Sequence, residues 1–170
     1  MVKYIGFLLL LTGCTGLGMS LAEDYKERIW VLSQIDKMIG FLCDRILTEK
    51  DSLPEAFFHT VGRFDGTWKR FLKEMYEETE QQNGKRLEEI WKEKSSILQE
   101  VMAEKDFLPF QAAMKQTGFS TKAGQLGALQ DYQVRIREQL KELTEQKKEK
   151  CKLYQSLGIM CGILIIVILW

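Results

Sequence analysis

The last stretch of this chain has no charged side chain, and it constrains the fold more than any other segment. Residues 153–170 read LYQSLGIMCGILIIVILW. As an α-helix, a stretch of this length extends about 27 Å, close to the roughly 30 Å hydrocarbon core of a bilayer. Its β-branched residues would also suit a buried strand, but no turn residues flank the stretch. We therefore predict a membrane-spanning helix.

The residues at the two ends of this stretch support the same prediction. Four lysines lie directly before it, where lipid headgroups would surround them, and a tryptophan lies at its far end as an interfacial aromatic. The predicted membrane-anchoring and juxtamembrane residues are Lys147, Lys148, Lys150, Lys152, Gly158, Gly162 and Trp170.

A second uncharged stretch, from Tyr4 to Ala22, is rich in leucine and glycine. Glycines spaced along an apolar stretch suit close helix packing within a membrane. Residues 11–14 read LTGC, however, which matches a bacterial lipobox and would place a lipid on Cys14 after cleavage. The apolar character continues beyond Cys14, whereas the apolar core of a cleaved signal ends at its cleavage site. We predict an uncleaved transmembrane helix, with a surface lipoprotein carrying a helical interaction domain as the alternative.

Between these two ends, apolar residues recur at three- and four-residue steps, the spacing of one helical face. The pattern predicts helices over residues 23–49, 54–64, 67–83, 85–102 and 106–117, and a last one from Ser120 onward with no breaker before Leu153. Thr67 and Gly118 are the expected caps of two of them. We predict an all-α protein: a bundle of about five or six helices at residues 23–152, flanked by transmembrane helices at 1–22 and 153–170.

The aromatic residues of the central segment also occur at helical spacing, so we expect them to form the core rather than a ligand pocket. They are Trp30, Phe57, Phe58, Phe64, Trp68, Phe71, Trp91, Phe107 and Phe110.

The sequence contains no pattern typical of an enzyme or a metalloprotein. None of the four cysteines belongs to a CxxC pair, and the single histidine, His59, has no companion at metal-ligand spacing. Lys and Arg together equal Asp and Glu at 24 each, and no phosphate-binding loop is present, which disfavours a nucleic-acid partner. We therefore predict no catalytic residues, no cofactor and no metal. A membrane-bound enzyme is the rival hypothesis, and it requires a converging polar cluster.

The order of these features resembles the stage III sporulation protein AB family of endospore-forming bacteria over the full chain. The resemblance rests on Tyr25 and Arg28 after the first apolar stretch, on residues 53–57 (LPEAF), on Trp91 after Gly84, and on KLYQSLGIMCG at residues 152–162. Gly118, Ser120 and Gln125 match as well. Two departures are Arg45, Thr48 and Glu49 where the family tends to have a Glu-Ile-x-Tyr-Gly turn, and Thr121 in place of its usual aspartate.

The resemblance implies a component of the apparatus that joins the mother cell to the engulfed forespore. That family is similar to the F-type inner-membrane platform proteins of type II secretion and type IV pilus systems. Such proteins are helical and non-enzymatic and work beside a cytoplasmic secretion-type ATPase. The expected partners are therefore membrane lipid, this ATPase and other membrane proteins of the sporulation channel. A homo-oligomer is compatible with this role.

The distribution of basic residues predicts the orientation of the central domain. The four lysines before the last stretch lie on its domain side, and Lys26, Arg28 and Lys37 follow the first stretch, against Lys3 before it. Because basic residues concentrate on the cytoplasmic side of membrane helices, both groups place residues 23–152 in the cytoplasm. In the sporulation interpretation this is the mother-cell side of the outer forespore membrane, where the unpaired cysteines stay reduced.

Overall fold

The computed structural model describes residues 2–81, 85–117 and 121–169, without the side chains of residues 2–11, 14, 15, 155, 162 and 166–169. These residues contain six α-helices and no strand. The helices are α1 (Val2–Asp44), α2 (Leu53–Val61), α3 (Gly66–Glu80), α4 (Leu87–Lys94), α5 (Glu104–Gln116) and α6 (Lys122–Leu169). The predicted all-α class is confirmed, and α6 runs without a break through Leu153, as expected.

The chain forms two compact units, which we describe separately. The first comprises Met1–Trp30 and Gln139–Trp170, and the second comprises Val31–Glu138. Both α1 and α6 contribute residues to each unit. The boundaries predicted from the sequence, at residues 22 and 152, stay a prediction, because compactness does not by itself test where a membrane begins.

Within the second unit, the chain leaves α1 through a π-helical turn, Arg45–Glu49. Lys50 ends this turn in the left-handed region, with φ at 60°. The Arg45 guanidinium pairs with the Asp51 carboxylate at 2.8 Å and holds the exit of the turn. Residues 45–49, predicted as the end of a regular α-helix, therefore form a wider π-helical turn. Such turns are rare and have no clear sequence signature.

α2 begins at Leu53, one residue before the predicted start at residue 54, with Ser52 as its N-cap. The Ser52 backbone N–H and hydroxyl both donate to Glu55 Oε2, each at 2.7 Å. These two hydrogen bonds lower the pKa of the Glu55 carboxyl. Pro54 lies in the first turn, where its missing N–H costs no helical hydrogen bond.

Two other predicted helix ends are corrected. α3 begins at Gly66 with Asp65 as its N-cap, two residues before the predicted cap Thr67. Gly66 adopts a positive φ of 58°, a conformation that glycine tolerates. The helix predicted over residues 85–102 is α4 followed by a 3-10 segment, Ser95–Glu100. The Ser96 hydroxyl donates to the Glu93 carbonyl at 2.7 Å, a local bond that competes with the regular helical pattern. The expected helix end at Gly84 and the expected cap Gly118 lie outside the described residues.

Consecutive helices pack on one another in the second unit, α2 on α3, α3 on α4 and α4 on α5. Lysines on α4 and before it join α3 and α4 through ion pairs. The Lys85 ammonium lies 2.8 Å from Glu78 and 2.9 Å from Glu93, and these hydrogen bonds raise its pKa. Lys94 extends the network to Glu74 at 3.6 Å. Lys85 and Glu93 are solvent-exposed, which weakens what their pair contributes to stability, whereas Glu78 and Lys94 are largely covered.

Trp91 lies at the centre of the core of the second unit, with 1% of its surface exposed. Its ring lies 5.5 Å from that of Phe57, 5.8 Å from Phe71 and 6.2 Å from Phe110, measured between centroids. The Phe57 and Phe110 rings meet Trp91 edge to face, a favourable arrangement for aromatic pairs, and the Phe71 ring is tilted by 38° to it. The other buried apolar side chains include Leu32, Ile35, Ile39, Leu42, Phe64, Trp68, Leu72, Met75, Leu98, Phe107, Met114, Leu129 and Ile136.

Two of the aromatic residues predicted for the core are exposed instead. Trp30 is 52% exposed and Phe58 is 55% exposed. Phe58 packs at the surface against Tyr76, with ring centroids 5.1 Å apart. Helical spacing tells on which side of a helix a residue lies, but not how far the neighbouring helices cover that side, and the prediction was wrong for this reason.

A polar contact connects α1 and α6 inside the second unit. The Gln133 amide, which is buried, donates to the Asp36 carboxylate at 3.0 Å and to the Asp36 carbonyl at 3.2 Å. Arg137 Nε donates to the same carboxylate oxygen at 2.8 Å. Gly40 leaves room for the amide, because a Cβ at this position would lie 3.0 Å from Gln133 Nε2.

Replacing Asp36 by alanine is expected to lower the free energy of unfolding by about 1–2 kcal/mol, since the buried Gln133 amide loses its strongest acceptor. Asp131→Ala removes an exposed carboxylate from α6 and is expected to change stability by less than about 0.5 kcal/mol. Denaturant unfolding of the full chain, followed by circular dichroism, measures both. Equal stabilities of the two variants would contradict a structural role for the Asp36 contact.

Candidate membrane-proximal site

In the first unit, α1 and α6 pack closely through a glycine. A Cβ built on Gly18 would lie 2.6 Å from the Tyr154 carbonyl oxygen and 3.2 Å from Gly158 Cα. Both are backbone atoms, which cannot turn aside as a flexible side chain can. Any side chain at Gly18 would therefore push the two helices apart. Gly18 therefore forms a close contact between helices of the kind predicted for the glycines of the first apolar stretch, while its location within a membrane stays a prediction.

Toward the lysine-rich end of the same unit, side chains replace glycine as the contact between α1 and α6. The Tyr25 hydroxyl donates to the Leu143 carbonyl at 3.0 Å, and the Tyr25 and Tyr154 rings meet edge to face at 6.4 Å. Desolvation, followed by the influence of Tyr154, raises the pKa of Tyr25, so its hydroxyl stays protonated and remains a donor at neutral pH. The Cys151 thiol lies 3.7 Å from the Ala22 carbonyl.

Beside these contacts lies an open groove of about 380 Å³ in which lysines from both helices meet. We call it the lysine groove. Its lining residues are Lys26, Thr144, Lys147, Lys148, Cys151 and Lys152. None of these four lysines forms an ion pair or a hydrogen bond with another described residue. No ion pair with a described carboxylate therefore neutralises their positive charges.

The predicted juxtamembrane residues separate into three groups. Lys147, Lys148 and Lys152 line the lysine groove, whereas Lys150 is not among its lining residues. Gly158 lies at the close approach of the two helices. Trp170 lies outside the described residues, and at Gly162 and at Cys14, the residue of the lipobox alternative, only the helical backbone is described.

The predicted juxtamembrane residues lacked three that line the groove, Lys26, Thr144 and Cys151. The lining residues of α6 follow the steps i, i+3, i+4, i+7 and i+8, which mark one face of a helix, so the sequence did contain a signal for Thr144. Nothing in the sequence connects Lys26 to them, because the pairing of α1 with α6 is a tertiary contact.

Within the part of the chain that the structure describes, no helix has an apolar stretch long enough to cross a membrane. The side chains of residues 2–11 and 166–169, which belong to the two stretches predicted to span, are outside that part. The described residues also contain no group of three or more His, Cys, Asp or Glu residues that could hold a metal ion.

The second unit has a smaller cleft, of about 250 Å³, between α4 and α5. Trp91 lines it together with Leu108 and Gln111, and Lys115 lies 3.1 Å from Glu88 among the lining residues. Because Lys115 and Glu88 pair with each other, their charges are less available to bind a ligand. The residues that line the cleft do not include a nucleophile beside a base.

Comparison with known families decides where the chain belongs. The family model of stage III sporulation protein AB matches residues 3–170, essentially the whole chain. The chain belongs to the stage III sporulation protein AB family. No curated protein and no solved structure matches it significantly. Family membership confirms the resemblance given by the sequence and implies a sporulation-related role for the protein.

Proposed function

We propose that this protein is a membrane-attached, non-enzymatic scaffold of the sporulation channel between mother cell and forespore. Its two apolar ends would span the outer forespore membrane, with the central helical domain in the mother-cell cytoplasm. There it would dock a cytoplasmic secretion-type ATPase, as a platform protein does. Membership of the stage III sporulation protein AB family supports the sporulation part of this proposal.

The observation that carries the membrane part is the packing of α1 on α6 in the first unit. The two uncharged stretches belong to these two helices, and Gly18 meets the backbone of Tyr154 and Gly158 where they approach. Helices in a lipid environment depend on this kind of close backbone contact, because apolar burial from water does not drive their association there. The lysine groove lies on the N-terminal side of the last apolar stretch, where cationic side chains are expected at a cytoplasmic surface.

The orientation can be tested by labelling a single exposed cysteine in intact cells. Gly62 is suitable, since it is exposed in the second unit and a Cβ there meets no atom within 4 Å. In a Gly62→Cys variant lacking Cys14, Cys151 and Cys161, we expect a membrane-impermeant maleimide to label the protein only after the cells are opened. Cys43 can be retained, because burial raises the pKa of its thiol to about 11 and keeps it unreactive.

Labelling of Gly62→Cys in intact cells would place the second unit outside and defeat ATPase docking. The parent without Gly62→Cys is the control and should remain unlabelled even after lysis. The partner is tested in sporulating cells by capture of the tagged full chain, where the secretion-type ATPase is expected to co-purify. Capture of the chain without this ATPase, after cross-linking in intact cells, would contradict the docking role.

A further inference from the structure

The lysine groove is built from two helices that are distant in the sequence, and no described carboxylate forms an ion pair with its lysines. We propose that it binds the phosphate group of an anionic phospholipid headgroup. This inference rests on the proposed membrane attachment and deepens it, since it names a specific lipid contact rather than a general affinity for a surface. The chemistry required is that of a phosphate oxyanion held by ammonium groups and a hydroxyl.

The charges in the groove favour an anionic ligand. Lys147, Lys148 and Lys152 of α6 face the same space as Lys26 of α1, and no described carboxylate pairs with any of them. Elsewhere in the protein exposed lysines do find carboxylates, as Lys85 does with Glu78 and Glu93. Ammonium groups of like charge repel one another, and an anion that enters the groove would relieve this repulsion.

Only some of the lysines of this region line the groove. Thr144, Lys147, Lys148, Cys151 and Lys152 lie on one face of α6, the face next to Lys26. Lys150 belongs to the same basic run in the sequence but does not line the groove. A general attraction to a negative surface would involve every lysine of the basic run alike, Lys150 included. Binding of a headgroup would depend on the lysines that line the groove.

The size and the polar groups of the groove agree with a headgroup. Its volume of about 380 Å³ is more than ten times the roughly 30 Å³ that one water molecule takes in the liquid, so a phosphate with its attached glycerol fits. Thr144 supplies a hydroxyl donor for a phosphate oxygen. Basic pockets between membrane helices on the cytoplasmic side are a recurring form of headgroup site.

The same chemistry would also accept free phosphate, but the position of the groove favours the lipid. It lies next to Leu153, where the last uncharged stretch begins, so a headgroup at the bilayer surface would meet it without leaving the membrane. A diester phosphate carries one negative charge, and its acyl chains would lie along the apolar stretch. Free phosphate would gain the charge contacts alone.

The test uses the full chain, freed of lipid in a neutral detergent and titrated with phosphatidylglycerol, with bound lipid counted by native mass spectrometry. We expect the wild type to retain phosphatidylglycerol in preference to phosphatidylcholine. Lys148→Glu is expected to weaken phosphatidylglycerol binding about tenfold. Lys150→Glu makes the same change of charge two residues away and is expected to alter binding less than about twofold.

Equal losses in Lys148→Glu and Lys150→Glu, or no loss in either, would overturn the groove as a site. If millimolar inorganic phosphate displaces phosphatidylglycerol whatever its acyl chains, the groove is a site for free phosphate and the lipid assignment is overturned. Flotation of the full chain with pure phosphatidylcholine vesicles tests membrane attachment separately. If the full chain does not float with these vesicles, the proposed membrane role is wrong. If all variants float and Lys148→Glu binds lipid as the wild type does, only the proposed headgroup site is wrong.

Discussion

Replacing Gly18 by alanine is expected to separate α1 from α6 in the first unit. The new Cβ would lie 2.6 Å from the Tyr154 carbonyl oxygen, closer than carbon and oxygen can approach, and the obstacle is backbone. Forcing a methyl group into such a contact costs about 1–3 kcal/mol. Since Cys151 lies against Ala22 in the same contact, its thiol reports the separation. We expect its alkylation rate in the full chain to rise about tenfold, as a cost of 1.4 kcal/mol would imply.

Gly16→Ala is the matched control for this experiment. Gly16 lies on the same helix, but a Cβ there meets no atom within 4 Å. Alanine is the better helix former, so this variant should leave the alkylation rate unchanged and stabilise the helix slightly. Cys14 and Cys161 are removed from both variants so that Cys151 gives the signal. Equal alkylation rates in Gly18→Ala and Gly16→Ala would refute the close approach of the two helices.

Truncating Trp91 to alanine is expected to have the largest effect in the second unit. Its ring is almost completely buried and contacts the rings of Phe57, Phe71 and Phe110. Removing a buried tryptophan costs about 3–5 kcal/mol, a large share of the 5–15 kcal/mol that stabilises a typical domain. The melting temperature of the helical signal should fall by at least about 12 °C, measured by circular dichroism on the full chain.

Two variants separate the core contact from other effects of losing a tryptophan. Trp30→Ala removes the same side chain from an exposed position and should change the melting temperature by less than about 4 °C. Trp91→Phe keeps an aromatic ring and removes an indole N–H that has no acceptor among the described residues, so its loss should be smaller than that of Trp91→Ala. A core centred on Trp91 is incompatible with equal melting temperatures for Trp91→Ala and Trp30→Ala.

Local sequence signals predicted the elements of this protein well. The start of α2 follows from Ser52, Pro54 and Glu55, whose roles in a first turn depend only on neighbouring residues. The break after α4 was missed, although Ser95 and Ser96 mark it, because serines within a helical pattern compete only weakly with the helix. The π-helical turn at Arg45 was missed as well, since such turns are rare and the apolar spacing through Ile46 is that of a regular helix.

The sequence by itself determined the all-α class, most of the core positions and the family, because helical periodicity and residue order are properties of the chain alone. It could also locate the basic run before the last apolar stretch. Only the tertiary structure decided which of those lysines line one groove. Lys26 joins Lys147, Lys148 and Lys152 because α1 packs on α6 with Gly18 at the contact, while Lys150 on the same helix does not. A residue's face on its own helix follows from local geometry, but what that face meets follows from the packing of a helix far away in the sequence.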